Sequence, residues 1–219
     1  MINQILMNTM PRNSSKLKNL LLEGRYDGLT TYASRKIVQL IKQNKKRARW
    51  NLRFPRGFEY EDGIEFPLFI EFQINITYGK NPNDIVGSVY DDETAIRLDL
   101  VIDPATIPQA LNQLIPDIKE TIMHELEHIA QNIGLRGSAF NQYEEYKNLS
   151  DYFLSNKEIP AFVRGLYKSA KTLRKPLDFV FDRTLNYYRD RLSSEEINTI
   201  KRTWAKYAKE NLPSARWSV

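Results

Sequence analysis

The sequence predicts an α+β fold, a small antiparallel sheet set among helices. Two patterns carry that expectation. Apolar and polar residues alternate over 68–78 and again over 96–102, the period of a half-buried strand. On either side, apolar residues recur every three or four positions, the period of helices with one buried face. With 219 residues and 42 % hydrophobic side chains, the chain can bury a sizeable core.

In chain order, residues 1–28 read as a loosely held leader with one short helix at Leu17, Leu20 and Leu21. A single domain is expected over 29–219, with a helical extension from about 174. Thr30 or Thr31 is the expected cap of a helix whose apolar face is Ala33, Ile37, Leu40 and Ile41. Three strands follow. The first alternates Leu68, Ile70, Phe72, Ile74, Ile76 and Tyr78 with polar partners, and residues 79–83 break it. The second lies near 85–90 and turns at 91–93. The third alternates Ile96, Leu98, Leu100 and Ile102 with Arg97, Asp99, Val101 and Asp103. Short connections predict a three-stranded antiparallel meander. A helix over about 107–133 has Pro116 as an expected interruption and Gly134 and Gly137 at its exit. Further helices are expected near 158–172, 176–192 and 194–211, the last opened by a capping box at Ser193 and Glu196.

Composition excludes several classes. Mean hydropathy is −0.52, and no apolar run approaches the length of a membrane span. Residues 1–10 lack the basic start and long apolar stretch of a secretory signal, so a cytoplasmic location is expected. The chain has no cysteine, which excludes disulfides and thiolate ligands. Net charge is +5, and seven cations from Lys42 to Arg56 surround Trp50 and Phe54. Such a stretch can contact phosphates and stack on bases. The expected reading is plainer: a solvated helix end followed by a surface loop.

The chain's only two histidines stand in His124-Glu125-Leu126-Glu127-His128. On a helix, positions four apart share a face, so both imidazoles can reach one ion. A hydrolytic zinc site takes three protein ligands, keeps one position open and needs a base. Glu125 is placed to be that base. Ile118, Ile122, Leu126 and Ile129 fall opposite the histidines, so one face buries while the other presents ligands.

With both histidines used and cysteine absent, the third ligand must be a carboxylate. The downstream candidates are Glu144, Glu145, Asp151 and Glu158. Glu158 is preferred because it opens a helix on which Ala161, Gly165 and Ser169 share its face. Those small residues would allow close approach to the motif helix. Its alternative role is local, since Ser155 and Glu158 have capping-box spacing. Pro160 argues for a helix start at Lys157 or later, which frees Glu158.

The segment Thr121-Ile122-Met123-His124-Glu125-Leu126-Glu127-His128-Ile129-Ala130-Gln131, with Tyr152-Phe153-Leu154-Ser155-Asn156-Lys157-Glu158-Ile159-Pro160-Ala161 after it, resembles a zincin family. It looks like uncharacterised metallopeptidases of large tailed bacteriophages and, more distantly, ImmA/IrrE-type peptidases of the compact gluzincin kind. The resemblance implies a zincin-like domain, one Zn2+ held by His124, His128 and Glu158, Glu125 as base and a protein or peptide substrate. Pro160, and the lack of asparagine after Ala161, depart from the ImmA/IrrE pattern and set a similar regulatory role aside.

No third histidine remains to stabilise an oxyanion, which leaves Tyr146, Tyr152, Arg164 and Tyr167. Gln131, one turn beyond His128, and Glu127 are candidates to orient an imidazole. The strand at 95–102 is a candidate sheet edge for holding an extended substrate. Two rivals to a peptidase remain: a non-catalytic zinc protein, and a nucleic-acid-binding protein using 42–56.

Overall fold

A computed structural model of the chain describes residues 14–53, 58–59, 65–66, 69–80, 84–89, 94–132 and 146–218. Its first element, helix α1 (Ser14–Lys42), runs unbroken through residue 28. The expected short leader helix and the helix capped at Thr30 or Thr31 are therefore one element. Thr30 sits inside it, where its hydroxyl donates to the Tyr26 carbonyl at 2.7 Å. A threonine that bonds back one turn needs no helix start. Tyr26, Ala33, Ile37 and Ile41 are buried on one face.

The sheet has four strands: β1 (Arg47–Arg53), β4 (Phe69–Tyr78), β5 (Asp84–Ser88) and β6 (Ala95–Ile102), in the order β1-β4-β6-β5. The short strands β2 (Phe58–Glu59) and β3 (Glu65–Phe66) form a separate antiparallel pair. β1 is antiparallel to β4 and β5 to β6, but β4 and β6 are parallel. The three-stranded antiparallel meander is thus corrected to a mixed, four-stranded sheet. Strand β5 turns back without pairing to β4, and β6 fills the slot left between them. Two reversals of direction make β6 run with β4.

The added strand is the basic stretch expected to be a loop. Its residues alternate, with Arg47, Arg49, Asn51 and Arg53 exposed and Ala48, Trp50 and Leu52 half-buried. The charge run is one wet face of an edge strand. Arg49 pairs with Glu71 across the ladder. Trp50 stacks on Phe72 at 5.4 Å, with the Lys36 ammonium 4.5 Å from its ring. That ring is half-buried and engaged in packing. Phe54 and Arg56 lie outside the described residues.

Ile70, Phe72, Ile74 and Ile76 of β4 and Ile96, Leu98, Leu100 and Ile102 of β6 are buried. They form one core with α1 and helix α2 (Ile107–Asn132). Helix α2 passes through Pro116 without a break. One proline costs the ladder a single donor, which burial of the apolar stripe offsets. Its exit glycines, Gly134 and Gly137, lie outside the described residues.

Four more helices complete the fold: α3 (Leu149–Leu154), α4 (Glu158–Leu173), α5 (Leu177–Tyr187) and α6 (Ser194–Asn211). The capping box at Ser193 and Glu196 is present in both directions. Helix α5 stops short of the expected 192, because Tyr188 leaves the helical conformation. These helices enclose a second core around Phe153, Leu166, Phe181 and Trp204. Buried Trp204 donates its ring N–H to the Phe153 carbonyl at 3.0 Å and stacks on Phe162 at 5.4 Å. The C-terminal helices thereby brace α3 and α4, and α4 packs against α2. Among the described residues no helix is long and apolar enough to cross a membrane.

Candidate metal centre

Helices α2 and α4 pack closely, and two small residues explain how. Ala161 is fully buried. At Gly165 an added Cβ would lie 2.9 Å from the Glu120 carbonyl oxygen and 3.4 Å from His124 Cβ. This contact carries Glu158, at the first turn of α4, up to the histidines on α2.

His124 Nε2 and His128 Nε2 are 3.0 Å apart. Glu158 Oε2 lies 3.3 Å from the first and 3.5 Å from the second. Donor atoms 2.0–2.1 Å from a tetrahedral ion are spaced about 3.3–3.4 Å from one another. The triangle therefore has the size of one face of such a tetrahedron. All three side chains are largely buried. Among the described residues, these three form the group of histidine and carboxylate side chains that could hold a metal ion.

The orientation of His128 is fixed from outside the triangle. Gln131 donates its amide N–H to the Lys157 carbonyl at 2.8 Å, which turns its oxygen towards His128 Nδ1 at 3.2 Å. That oxygen can only accept, so Nδ1 carries the proton and Nε2 presents its lone pair to the triangle. Glu158 Oε2 is buried there without a hydrogen-bond partner. Lone pairs converging on one buried point call for a cation, and the residues present fit one.

The local charges respond accordingly. Burial alone would raise the Glu158 carboxyl, but the adjacent imidazoles of His124 and His128 hold it down at about 2. Burial alone would lower the His128 imidazole; Glu158, Glu125 and Gln131 outweigh it and raise its pKa. Glu125 is 5 % exposed. Burial raises its carboxyl, the two histidines pull it down, and Glu158 pushes it up again. A carboxylate with a raised pKa is the stronger base.

The expected capping box at Ser155 and Glu158 forms in one direction only, since the Ser155 N–H donates to the Tyr152 carbonyl. Ser155 Oγ accepts the Glu158 backbone N–H at 3.1 Å, while the Glu158 carboxylate turns to the histidines. Helix α4 starts after Lys157, so Pro160 falls in the first turn, where its missing N–H costs no helix bond.

Of the remaining expected residues, Tyr152 lies at the site. Burial, the Glu158 carboxylate and the Glu125 charge all raise the pKa of its hydroxyl, which stays protonated. Its ring packs edge-on to Tyr146 at 5.1 Å, and Phe162 packs edge-on to His124 at 4.7 Å. Arg164 is drawn elsewhere. It is buried, its Nε is 3.3 Å from Glu127 Oε2, and it lines an internal cavity with Tyr26, Met123 and Tyr167. Tyr167 is buried on the same side, beneath the Lys171 ammonium. Glu127 is fully buried, and its pairing with Arg164 ties α2 to α4. Asp151 is exposed in the first turn of α3 and donates its N–H to Asn148. Glu144 and Glu145 lie outside the described residues.

One contributor escaped the sequence reading. Gly87 of β5 faces α2 so closely that an added Cβ would sit 2.6 Å from Glu125 Oε1 and 2.6 Å from Thr121 Cγ2. An isolated glycine inside a strand is the available signal for such a close approach. It also shows that the edge strand beside the site is β5. The expectation for 95–102 is corrected: β6 is interior, paired on both sides.

No family model matches this chain, and neither a curated protein nor a solved structure is similar to it.

Proposed function

We propose that this protein is a zinc-dependent metallopeptidase of the zincin kind, as its resemblance to bacteriophage metallopeptidases and ImmA/IrrE-type peptidases implies. The observation that carries the proposal is the 3.0–3.5 Å triangle of two imidazole nitrogens and one orphaned carboxylate oxygen, with Glu125 buried beside it. Two nitrogens and one carboxylate oxygen suit zinc, and three ligands leave a tetrahedral site one open position.

His124, His128 and Glu158 would hold the ion. When bound, zinc supplies Lewis acidity, which makes water nucleophilic near neutral pH and polarises a scissile carbonyl. Glu125 accepts the proton of the attacking water and returns it to the departing amine. Its burial strengthens it for the first task. Tyr152 keeps its proton in the field of two carboxylates, and it serves as a donor to the oxygen that gains negative charge. The outer edge of β5 offers backbone groups to an extended substrate. Gly87 lets that strand run directly past Glu125.

The buried base favours this reading over a purely structural zinc site, which has no use for a carboxylate held outside the ligand set. The test is metal analysis and peptide cleavage on wild type, Glu125→Gln and Glu158→Ala. The expected pattern is stoichiometric zinc and chelator-sensitive cleavage in wild type, zinc without cleavage in Glu125→Gln, and loss of both in Glu158→Ala. Cleavage surviving in Glu125→Gln would sink the mechanism. A wild type without bound metal would sink the zinc reading.

A further inference from the structure

A cleft of about 530 Å³ opens beside the metal centre, and the mechanism above leaves it unused. It lies between α2, α5 and the start of β5. Asp84, Asp117, Glu120, Thr121 and Arg183 line it. Its place relative to the site follows from Gly87, because Thr121 Cγ2 and the Glu125 carboxylate crowd the same point on β5. Thr121 is four residues before Glu125, about 6 Å along α2. Asp84 is three residues before Gly87, about 10 Å along β5. The cleft therefore continues the site along both elements.

Its charge is unbalanced. Three carboxylates face one guanidinium. Arg183 Nη2 donates to Asp117 Oδ1 at 3.1 Å and to Ser169 Oγ at 3.4 Å, but stays 3.7 Å from Glu120 Oε2. That Glu120 oxygen is buried and has no hydrogen-bond partner. Burial and the neighbouring Asp117 hold the Glu120 carboxyl up at about 7, although Ser169 and Arg183 draw it down. Asp84 is exposed at the rim. Ile85, Leu114 and Tyr188 add apolar wall against which an aliphatic stem can lie.

We propose that this cleft is a specificity subsite for a lysine or arginine side chain of the peptide substrate. The charged head meets Glu120 and Asp84, and the residue stands roughly two or three positions from the scissile bond. An extended segment paired to β5 sends every second side chain towards α2, so one of them enters the cleft. The inference rests on the hydrolytic reading, since the subsite is measured from Glu125.

The test is cleavage of a mixed peptide library by the zinc-loaded full chain, with products read by mass spectrometry. The proteins compared are wild type, Glu125→Gln, Glu120→Gln and Asp84→Asn. The expected result is a wild-type preference of about tenfold in kcat/KM for lysine or arginine at one position near the cut. Both Glu120→Gln and Asp84→Asn should cut that ratio several-fold. Asp84 is exposed, so its variant decides the matter even where the change at half-buried Glu120 perturbs folding. Cleavage without a basic preference, or a preference that Asp84→Asn leaves intact, overturns the subsite alone. Absence of any Glu125-dependent cleavage overturns the subsite and the peptidase reading together.

Discussion

Gln131 holds His128: its side-chain oxygen lies 3.2 Å from His128 Nδ1, while its amide nitrogen is anchored on the Lys157 carbonyl. The same side chain thus fixes the tautomer of one candidate ligand and the residue preceding another, Glu158. Replacing it by alanine frees the ring to rotate or to protonate at the wrong nitrogen. Gln131→Ala should weaken zinc binding by about 10–100-fold with the fold intact. Competition against a chromophoric chelator measures this. An unchanged affinity would mean that the ring is held by its surroundings instead.

Proton competition gives the site a definite pH response. His128 must be neutral to ligate, and its pKa is raised above 6.5. Zinc affinity should therefore begin to fall while pH is still above 6.5 and continue falling as acid is added. Affinity that stayed flat from pH 8 down to pH 6 would contradict the charge arrangement described for Glu158 and Glu125. Titration calorimetry across that range is the measurement.

What could be read from the sequence follows from what residue types and periods encode. Both histidines were fixed by number and spacing, because four residues on a helix is a geometric statement. The carboxylate in the candidate triad follows from scarcity: without cysteine or further histidine, only an acid remains. Ladder order was not legible. Alternation assigns Ile70 and Ile96 to the buried face but is silent on which strand neighbours which, and the parallel pairing of β4 with β6 depends on β5 skipping a place. The pairing of Arg164 with Glu127 was hidden for a similar reason: a helical wheel gives a residue's angle on its own helix, not the packing that buries two helices' side chains against each other. Strand β1 was hidden because its outward arginines read as a solvated run.

Two glycines should respond differently to the same change. At Gly165 the obstacle to a Cβ is the Glu120 carbonyl oxygen at 2.9 Å, a backbone atom that cannot step aside. Gly165→Ala should push α4 from α2 and cost about 1–3 kcal/mol of stability, with weakened zinc binding. At Gly87 the obstacles are side-chain atoms, Glu125 Oε1 among them. Gly87→Ala should cost less stability than Gly165→Ala, because Thr121 and Glu125 must turn but no backbone atom blocks the new Cβ, and should displace the base, lowering kcat by about 10–100-fold. Melting curves beside kinetics separate the two. Equal losses of stability would show that β5 and α2 are as rigidly coupled as the two helices.

Glu120 should set a pH dependence of folding with an unusual sign for an acid. Its carboxyl is raised to about 7 in the folded protein, against an ordinary value of 4.5. The folded state therefore binds this proton more tightly than the unfolded chain does. Stability from this group is full below pH 4.5 and is lost as pH rises towards and through 7. The usual salt-bridged carboxylate does the opposite. The loss is on the order of 2 kcal/mol, less than the full shift implies because part of the side chain reaches solvent. Glu120→Gln stays neutral throughout, so its stability relative to wild type should rise between pH 5 and pH 7.5. Chemical denaturation at several pH values reads this difference directly. A constant difference across the range would mean that Arg183 already neutralises Glu120, and that the cleft has no charge to spare for a ligand.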